Sequence, residues 1–190
     1  MENYSLIERA EFYKSKFPYW PTPRADKRWL DGVWLLGNNY KGSGLYGSYP
    51  PNYLKRIMSL FPDAKRILHL FSGSLQKGNY IRFDINKPSD IIGDAHKLPF
   101  KPNSFDLILA DPPYSLEDAK HYGKPLINRN KVVFQCSSIL EPKGYLVWLD
   151  QVLPMFKKEN LNLCGLIGIV RSTNHRFRIV SIFKKQENTF

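Results

Sequence analysis

The feature that most constrains this chain is a short apolar run that ends in an acid and two prolines. Residues 104–110 predict a buried strand of the kind found in parallel sheets, and the sequence Asp-Pro-Pro-Tyr follows directly at 111–114. Proline fixes its own φ and disfavours the helical region for the residue before it, so Asp111 and Pro112 should lie extended at the end of that strand. In an open α/β sheet, ligands bind at the carboxyl ends of the strands.

This Asp-Pro-Pro-Tyr segment predicts a specific chemistry. The Asp111 carboxylate and the Pro112 carbonyl can together accept both hydrogens of a planar exocyclic amine. An amine held in this way becomes more tetrahedral, which makes its lone pair a better nucleophile. Tyr114 offers an aromatic face on which a planar ring can stack. The alternative is a purely structural Pro-Pro turn with a surface tyrosine.

Three further strands are predicted upstream, and acids or glycines follow them. Residues 66–71 predict the first strand, and Gly73 in the turn after it lets the backbone approach a ligand closely. Residues 80–84 predict the second strand, whose last residue, Asp84, could accept hydrogen bonds from ribose hydroxyls or could simply form a turn. The short strand 91–92 precedes Gly93, Asp94 and Ala95.

Together these segments resemble the amino-methyltransferases, which use S-adenosylmethionine (SAM) to methylate N6 of adenine or N4 of cytosine. The resemblance covers roughly Leu45 to Lys185, with Asp-Pro-Pro-Tyr matching motif IV of that family. The first turn is similar to the family's cofactor-binding Asp-Leu-Phe-Ala-Gly-Ser-Gly, but His69 stands where an acid is usual and Leu75 replaces the last glycine. The resemblance implies a Rossmann-like class I methyltransferase: an α/β fold whose sheet is mostly parallel, with an antiparallel edge strand.

The resemblance also implies which residues act. Tyr49 belongs to a segment that matches the family's methionine-pocket motif by position, and Asp94 resembles the residue that receives the adenine amine of SAM. His69 is interpreted as a strand histidine rather than a catalytic base. The implied SAM-binding residues are Tyr49, Phe71, Ser72, Gly73, Asp84, Asp94, Ala95 and Asp111. The implied catalytic residues are Asp111, Pro112, Pro113 and Tyr114.

The N-terminal part has a different character from the rest of the chain. An amphipathic helix is expected over 3–15, irregular structure over 17–49 and a helix over 52–61 with proline in its first turn. Many aromatic residues alternate with cations between 17 and 49, which suits either nucleic-acid contact or a loop packed over the core. Residues 42–44 (Gly-Ser-Gly) could form a lid.

The C-terminal part continues the alternation of helices and strands. A polar loop is expected over 115–125, followed by a helix over 128–140. The segment 141–144, whose last residue is Gly144, is expected to stop this helix. The remaining predicted elements are a strand at 145–149, a helix at 151–159 and two strands near 161–171 and 176–184 that pair antiparallel at the sheet edge. Arginines gather around the turn between those two strands, where they could contact phosphates or form a solvated basic hairpin. They are Arg171, Arg176 and Arg178.

Composition indicates one domain over 1–190, with an aromatic and basic extension over 1–49 and a SAM-binding core over 50–185. The net charge of +11 lies mainly outside the core, because residues 1–66 and 151–190 each carry +5 and residues 67–150 carry +1. Basic flanks suit a polyanionic partner, which we expect to be nucleic acid. The two cysteines, Cys136 and Cys164, lack metal-ligand spacing, so we expect no metal. With no membrane span and no signal-peptide pattern, we expect a cytoplasmic protein.

The expected function is methyl transfer from SAM to an exocyclic amino nitrogen of a nucleobase, with adenine N6 in DNA as the leading substrate. RNA remains an alternative, because Leu98-Pro99-Phe100 before the Asp-Pro-Pro-Tyr segment also resembles tRNA guanine-N2 methyltransferases and the chain contains no large target-recognition insertion. A second alternative is a catalytically inactive SAM-fold binding subunit, which the atypical residues His69 and Leu75 favour. A small-molecule methyltransferase fits the basic flanks less well.

Overall fold

A mixed β-sheet organises the computed structural model, which describes residues 4–37, 49–86, 88–121, 126–171 and 177–187. Within these ranges the sheet has nine strands in the order β1-β2-β8-β9-β7-β6-β3-β4-β5. The helices are α1 Leu6–Lys16, α2 Tyr53–Leu60, α3 Leu116–His121 and α4 Arg129–Ile139. The strands are β1 Arg24–Ala25, β2 Leu30–Leu36, β3 Ile67–Leu70, β4 Ile81–Asp84, β5 Ile91–Ile92, β6 Phe105–Ala110, β7 Leu140–Asp150, β8 Leu161–Arg171 and β9 Phe177–Lys185.

The four predicted strands that lead to the Asp-Pro-Pro-Tyr segment are confirmed. Strand β3 pairs in parallel with β4 and with β6, and β6 pairs in parallel with β7. All six residues of β6 are buried, as the apolar run predicts. The carboxyl ends of β3, β4, β6 and β7 therefore meet at one edge of the sheet. Strand β9 runs antiparallel to β7 and opposes Asp150 with Ile179, so its first residues lie at that same edge.

The expectation of irregular structure over 17–49 is wrong for β1 and β2. Strand β2 pairs in parallel with β8 and buries Leu30, Trp34 and Leu36, while Val33 and Leu35 are exposed. This is the period-two alternation of a half-buried strand. Because β2 covers β8, the antiparallel β8–β9 pair lies inside the sheet and not at its edge. The antiparallel edge strand is the two-residue β1.

Helices cover both faces of the sheet. On one face α1 and α2 pack over β2, where the rings of Tyr13 and Trp34 stack at 5.5 Å between centroids. The helix predicted over 3–15 is confirmed as α1, which begins with a capping box between Ser5 and Glu8. On the opposite face α4 buries Val133 and Cys136 against β6 and β7. None of the helices in the described ranges has the length and apolar character that a membrane span requires.

Several predicted boundaries in the second half differ from the structure. The helix expected over 151–159 is absent, because Pro154 lacks an amide hydrogen and disfavours a helical residue before it. The loop expected over 115–125 begins as α3, and residues 122–125 lie outside the described ranges. Helix α4 ends at Ile139, and β7 begins directly after it, so Gly144 does not stop the helix.

Two expectations in the first half also need comment. Helix α2 begins at Tyr53, after Asn52 in the left-handed conformation with φ 63°, so Pro50 and Pro51 precede the helix rather than form its first turn. The Gly-Ser-Gly sequence at 42–44 lies outside the described residues.

Candidate active site

The Asp-Pro-Pro-Tyr segment leaves the carboxyl end of β6 with no regular structure, at the sheet edge where it was predicted. The Tyr114 hydroxyl donates a short hydrogen bond to Oδ1 of Asp111. The Arg178 guanidinium lies over the Tyr114 ring, 4.5 Å from its centroid. Burial, with the Asp111 charge as a second cause, raises the pKa of Tyr114 well above its ordinary value, so the hydroxyl remains a neutral donor.

Arg178 is the predicted basic-hairpin residue whose side chain the structure describes. The antiparallel pairing of β9 with β7 brings it to the carboxyl edge beside Tyr114. The arginine side chain is partly buried, and its Nε has no hydrogen-bond partner in the described part of the chain. It therefore belongs to the candidate site rather than to a solvated hairpin. Arg176 and the side chain of Arg171 lie outside the described residues.

An ion pair between Arg129 and Asp150, which the sequence analysis missed, holds the backbone of Tyr114 in place. Arg129, the first residue of α4, donates from Nη2 to the Tyr114 carbonyl at 3.0 Å. Its Nε and Nη2 also donate to the Asp150 carboxylate, at 2.6 Å and 3.2 Å. Asp150 is fully buried and accepts two further hydrogen bonds, from Nε1 of Trp148 and the amide of Gln151. Tyr114 is thus held at its carbonyl, its ring and its hydroxyl.

A cavity of about 400 Å³ opens beside Asp111. Three carboxylates line it, from Asp84, Asp94 and Asp111, and its other walls are largely apolar. The predicted cofactor-site residues that line it are Phe71, Asp84, Asp94, Ala95 and Asp111, together with Pro113 of the Asp-Pro-Pro-Tyr segment. Tyr49, Ser72, Gly73, Pro112 and Tyr114 do not line it.

The turn after β3 is tied to the end of β4 at the rim of this cavity. The Gly73 amide donates to Oδ2 of Asp84 at 2.9 Å, and Gly73 has φ 50°, which favours glycine. The other carboxylate oxygen of Asp84 accepts the Asn86 amide at 3.0 Å.

Gly93, which also lines the cavity, packs closely against the Phe83 ring. A Cβ built on Gly93 would lie 2.7 Å from Cζ of Phe83, so only glycine fits beside this ring without a shift.

His96 is a further cavity residue that the sequence analysis did not select. Its Nε2 accepts the Asn128 amide at 2.9 Å, so its proton must reside on Nδ1. Nδ1 lies 2.6 Å from Oδ1 of Asp94 and donates to it. The His96 amide bonds to the same oxygen and is the larger cause of a lowered Asp94 pKa. The Asp-x-His spacing was the available signal for this pair.

These lining residues fit the chemistry of SAM. Carboxylates at the ends of β4 and β5 suit ribose hydroxyls and an exocyclic amine, and the apolar walls suit a purine ring. Nowhere in the described ranges do three or more His, Cys, Asp or Glu side chains gather as a metal site would require. Both cysteines are buried thiols.

The position that is usually acidic in the resembling family is occupied by a buried neutral histidine. His69 is 2% exposed in β3, and burial lowers its pKa from 6.5 to about 4. The Tyr49 hydroxyl lies 3.2 Å from its Nδ1, and the Tyr80 ring packs against it at 4.5 Å between centroids. His69 is therefore a strand residue packed among aromatic rings, and it supplies no negative charge beside the turn.

This histidine should make stability depend on pH. The folded protein resists protonation of His69 down to about pH 4, whereas the unfolded chain takes up the proton near pH 6.5. The unfolded state therefore gains relative stability as the pH falls through that window, by about 2 kcal/mol between pH 8 and pH 5. Urea unfolding of the wild type and of His69→Asn at both pH values measures this contribution. Equal losses of stability in the two proteins would contradict it.

Searches with the sequence find no matching family model and no matching curated protein. The chain is similar in structure to TrmN from Thermus thermophilus, with a TM-score of 0.50 and 18% identity over 73% of this chain. The similarity spans about half of the TrmN chain (50%). A SAM-dependent methyltransferase from Methanosarcina mazei matches with a TM-score of 0.45 and 14% identity, over 65% of this chain and 93% of that one.

The N-methyltransferase NodS from Bradyrhizobium japonicum, solved with S-adenosylhomocysteine, matches with a TM-score of 0.43 and 11% identity, over 65% of this chain and 79% of NodS. The sheet order and the similarity to TrmN define the class of fold, a Rossmann-like class I methyltransferase fold.

Proposed function

We propose that this chain is a SAM-dependent methyltransferase that acts on an exocyclic amino group of a nucleobase, with adenine N6 in DNA as the leading substrate. The observation that carries the proposal is the position of Asp111. Its carboxylate lines the cavity and accepts a hydrogen bond from the Tyr114 hydroxyl. A group held at Asp111 is therefore next to both a cofactor-sized space and the aromatic side chain of Tyr114.

In this proposal Asp111 and the Pro112 carbonyl accept the two hydrogens of the target amine. The fixed acceptors orient the nitrogen lone pair toward the cavity, and proximity supplies much of the rate enhancement. When bound, SAM would supply a methyl group attached to a positively charged sulfur. The neutral thioether that remains after methyl transfer is a good leaving group. The Asp111 carboxylate is also placed to take the proton that the methylated amine must lose.

Tyr114 has two parts to play in this scheme. Its ring offers the stacking face for the base, and Arg178 on that ring supports its orientation. Its hydroxyl already donates to the Asp111 carboxylate, so an entering amine must share or replace that hydrogen bond. A base within a duplex must also leave its stack to reach Asp111, which costs a few kcal/mol.

We assign the cofactor to the cavity beside Asp111. Asp84 at the end of β4 would bind the ribose, and Asp94 would receive the adenine amine, with Phe71 and Ala95 among the apolar walls. Ser72 and Gly73 would shape the turn toward the methionine part. Tyr49 would act from a greater distance, because it packs against Tyr53 and His69 rather than at the cavity wall.

Two alternatives have specific support. An RNA base is favoured by the connections of the core: between β6 and β9 the described residues form α3, α4, β7 and β8 and no further element that would read a DNA sequence. A catalytically inactive SAM-fold subunit is favoured by the neutral His69 in the position of an acid. An intact Asp111 and Tyr114, hydrogen-bonded to each other, favour an active enzyme.

The test is methyl transfer from labelled SAM to duplex DNA, single-stranded DNA and bulk RNA, followed by nucleoside analysis and calorimetry of SAM binding. We expect N6-methyladenine in DNA. Label confined to RNA, or found as N2-methylguanine, would replace the leading substrate with the RNA alternative. SAM binding without transfer would support the inactive subunit, and neither binding nor transfer would overturn the proposed function.

A further inference from the structure

A second concave surface, here called the basic groove, lies between the turn before β2, the first residues of β8 and the last residues of β9. Its volume is about 610 Å³. Positively charged and aromatic residues make up more than half of its lining, and they are Tyr4, Lys27, Arg28, Trp29, Lys143, Tyr145 and Lys184. No residue assigned above to catalysis or to the cofactor is among them.

The basic groove lies at the sheet edge opposite to the candidate active site. Lys184 near the end of β9 pairs with Tyr145 in the middle of β7, whereas Asp150, the last residue of β7, binds Arg129. The five residue-to-residue steps from Tyr145 to Asp150 span about 17 Å of extended strand. The groove and the cavity beside Asp111 are therefore separate sites, and a single extended ligand that reached both would have to cover at least this distance.

The positive charge of the groove is partly compensated, because Asp26 attracts Arg28 electrostatically without forming an ion pair. Lys143 is paired with Glu187 at 2.8 Å. The Asp26 carboxylate, the nearest acid in sequence, accepts the backbone amides of Arg28 and Trp29 at 2.7 Å and 2.8 Å. Among the described residues, no carboxylate forms an ion pair with Lys27, Arg28 or Lys184.

Aromatic rings accompany these cations. Trp29 is partly exposed and directly follows the two cations in sequence, and the Asp26 turn fixes its backbone. Nζ of Lys184 lies 5.6 Å from the centroid of the Tyr145 ring, a contact that holds this lysine at the groove floor. Cations spaced around a partly exposed ring match a ligand that offers phosphates and an unstacked base.

We propose that the basic groove binds single-stranded nucleic acid, with phosphates on Lys27, Arg28 and Lys184 and a base against Trp29. A single strand is favoured over a duplex because stacking on a side chain requires a free base face. The groove would then hold a strand at a point about 17 Å or more from the chemistry, and it would contribute affinity without sequence preference.

The charge component is tested with K27Q/R28Q/K184Q and a matched control, K14Q/K55Q/K101Q, which removes the same number of exposed or partly exposed cations elsewhere on the surface. Binding of fluorescein-labelled single-stranded DNA, single-stranded RNA and duplex DNA is measured by anisotropy at several salt concentrations. In the groove variant we expect at least about tenfold weaker binding of single strands and a salt slope reduced by about 2. An unchanged slope, or the same loss in the control, would overturn the proposal.

The stacking component is tested with Trp29→Phe and Trp29→Leu, which both keep an apolar side chain. We expect Trp29→Phe to retain most of the affinity for single strands and Trp29→Leu to lose about tenfold. Equal affinities of the two variants, or a wild type that prefers duplex DNA, would overturn single-strand recognition. Comparison of the DNA and RNA strands identifies which polymer the groove prefers.

These binding measurements need no cofactor, so they can fail or succeed independently of the proposed methyl transfer. One additional arm rests on the proposed function. The groove variant should methylate a trinucleotide as fast as the wild type and a long strand more slowly at low substrate concentration. A trinucleotide is too short to span about 17 Å beyond the active site, so loss of turnover with it would point to a folding defect and contradict the groove as a remote contact.

Discussion

Replacing Asp111 with asparagine should lower turnover by about 100- to 1000-fold while SAM affinity changes by only a few fold. Asparagine has nearly the same shape, so the cavity wall is retained. It carries no negative charge, and its NH₂ group donates where the target amine needs an acceptor. The measurement is kcat with labelled SAM and the identified nucleic-acid substrate, with the dissociation constant of SAM obtained by calorimetry.

Glu117→Gln provides the control for this experiment. Glu117 is an exposed acid in α3, which begins two residues after the Asp-Pro-Pro-Tyr segment, and the substitution removes the same charge without touching the cavity lining. We expect turnover within about twofold of the wild type, because a screened surface charge contributes little. Normal turnover in Asp111→Asn would end the assignment of Asp111 as the acceptor for the amine.

Replacing Arg129 with methionine should affect both stability and turnover. It leaves the fully buried Asp150 carboxylate with only the Trp148 and Gln151 donors. Breaking a buried ion pair in this way costs about 3 kcal/mol or more, which corresponds to a fall in Tm of about 10 °C for a chain of this size. Turnover should also fall, because the Tyr114 carbonyl loses the Arg129 hydrogen bond. Thermal unfolding and kcat are measured on the same samples.

The double variant Arg129→Met/Asp150→Asn separates the two effects. An asparagine at 150 is neutral, and its one side-chain oxygen can still accept the Gln151 amide, whereas its NH₂ group would face Nε1 of Trp148. Part of the lost stability should therefore return, because no buried charge is left unpaired. The hydrogen bond to the Tyr114 carbonyl remains absent, and turnover should therefore stay low at temperatures where the double variant is folded. Recovery of turnover together with stability would show that Arg129 is structural and does not position Tyr114.

The sequence carried most of the signals for the central sheet edge. A buried apolar run before two prolines predicts β6 and its exit, and acids at the ends of short apolar runs predict the lining of the cavity. Arg178 was selected for its charge, but its contact with Tyr114 depends on the antiparallel register of β9 on β7. Arg129 and Asp150 are 21 positions apart, and only the packing of α4 against β7 brings them together.

The predictions that were wrong or incomplete also have causes in particular residues. Strand β2 contains Gly32, and its outward positions hold Val33 and Leu35, so apolar and polar residues do not alternate cleanly in the sequence. The helix predicted over 151–159 does not form, because Pro154 lacks an amide hydrogen and disfavours the helical region for the residue before it. His96 was missed because its role depends on the amide of Asn128, which is 32 residues away.

The pairing of β2 with β8 makes part of the N-terminal extension a component of the central sheet. Strand β2 pairs with residues 165–171 of β8 on one side and shields the buried residues Ile167 and Ile169. A chain shortened to begin at residue 50 would leave an eleven-residue apolar strand with a bare flank. Such flanks recruit strands from other molecules and promote aggregation. Strand β2 thus protects this part of β8 from such contacts, while residues 32–36 of β2, which β1 does not pair, form the outer flank in the described part of the sheet.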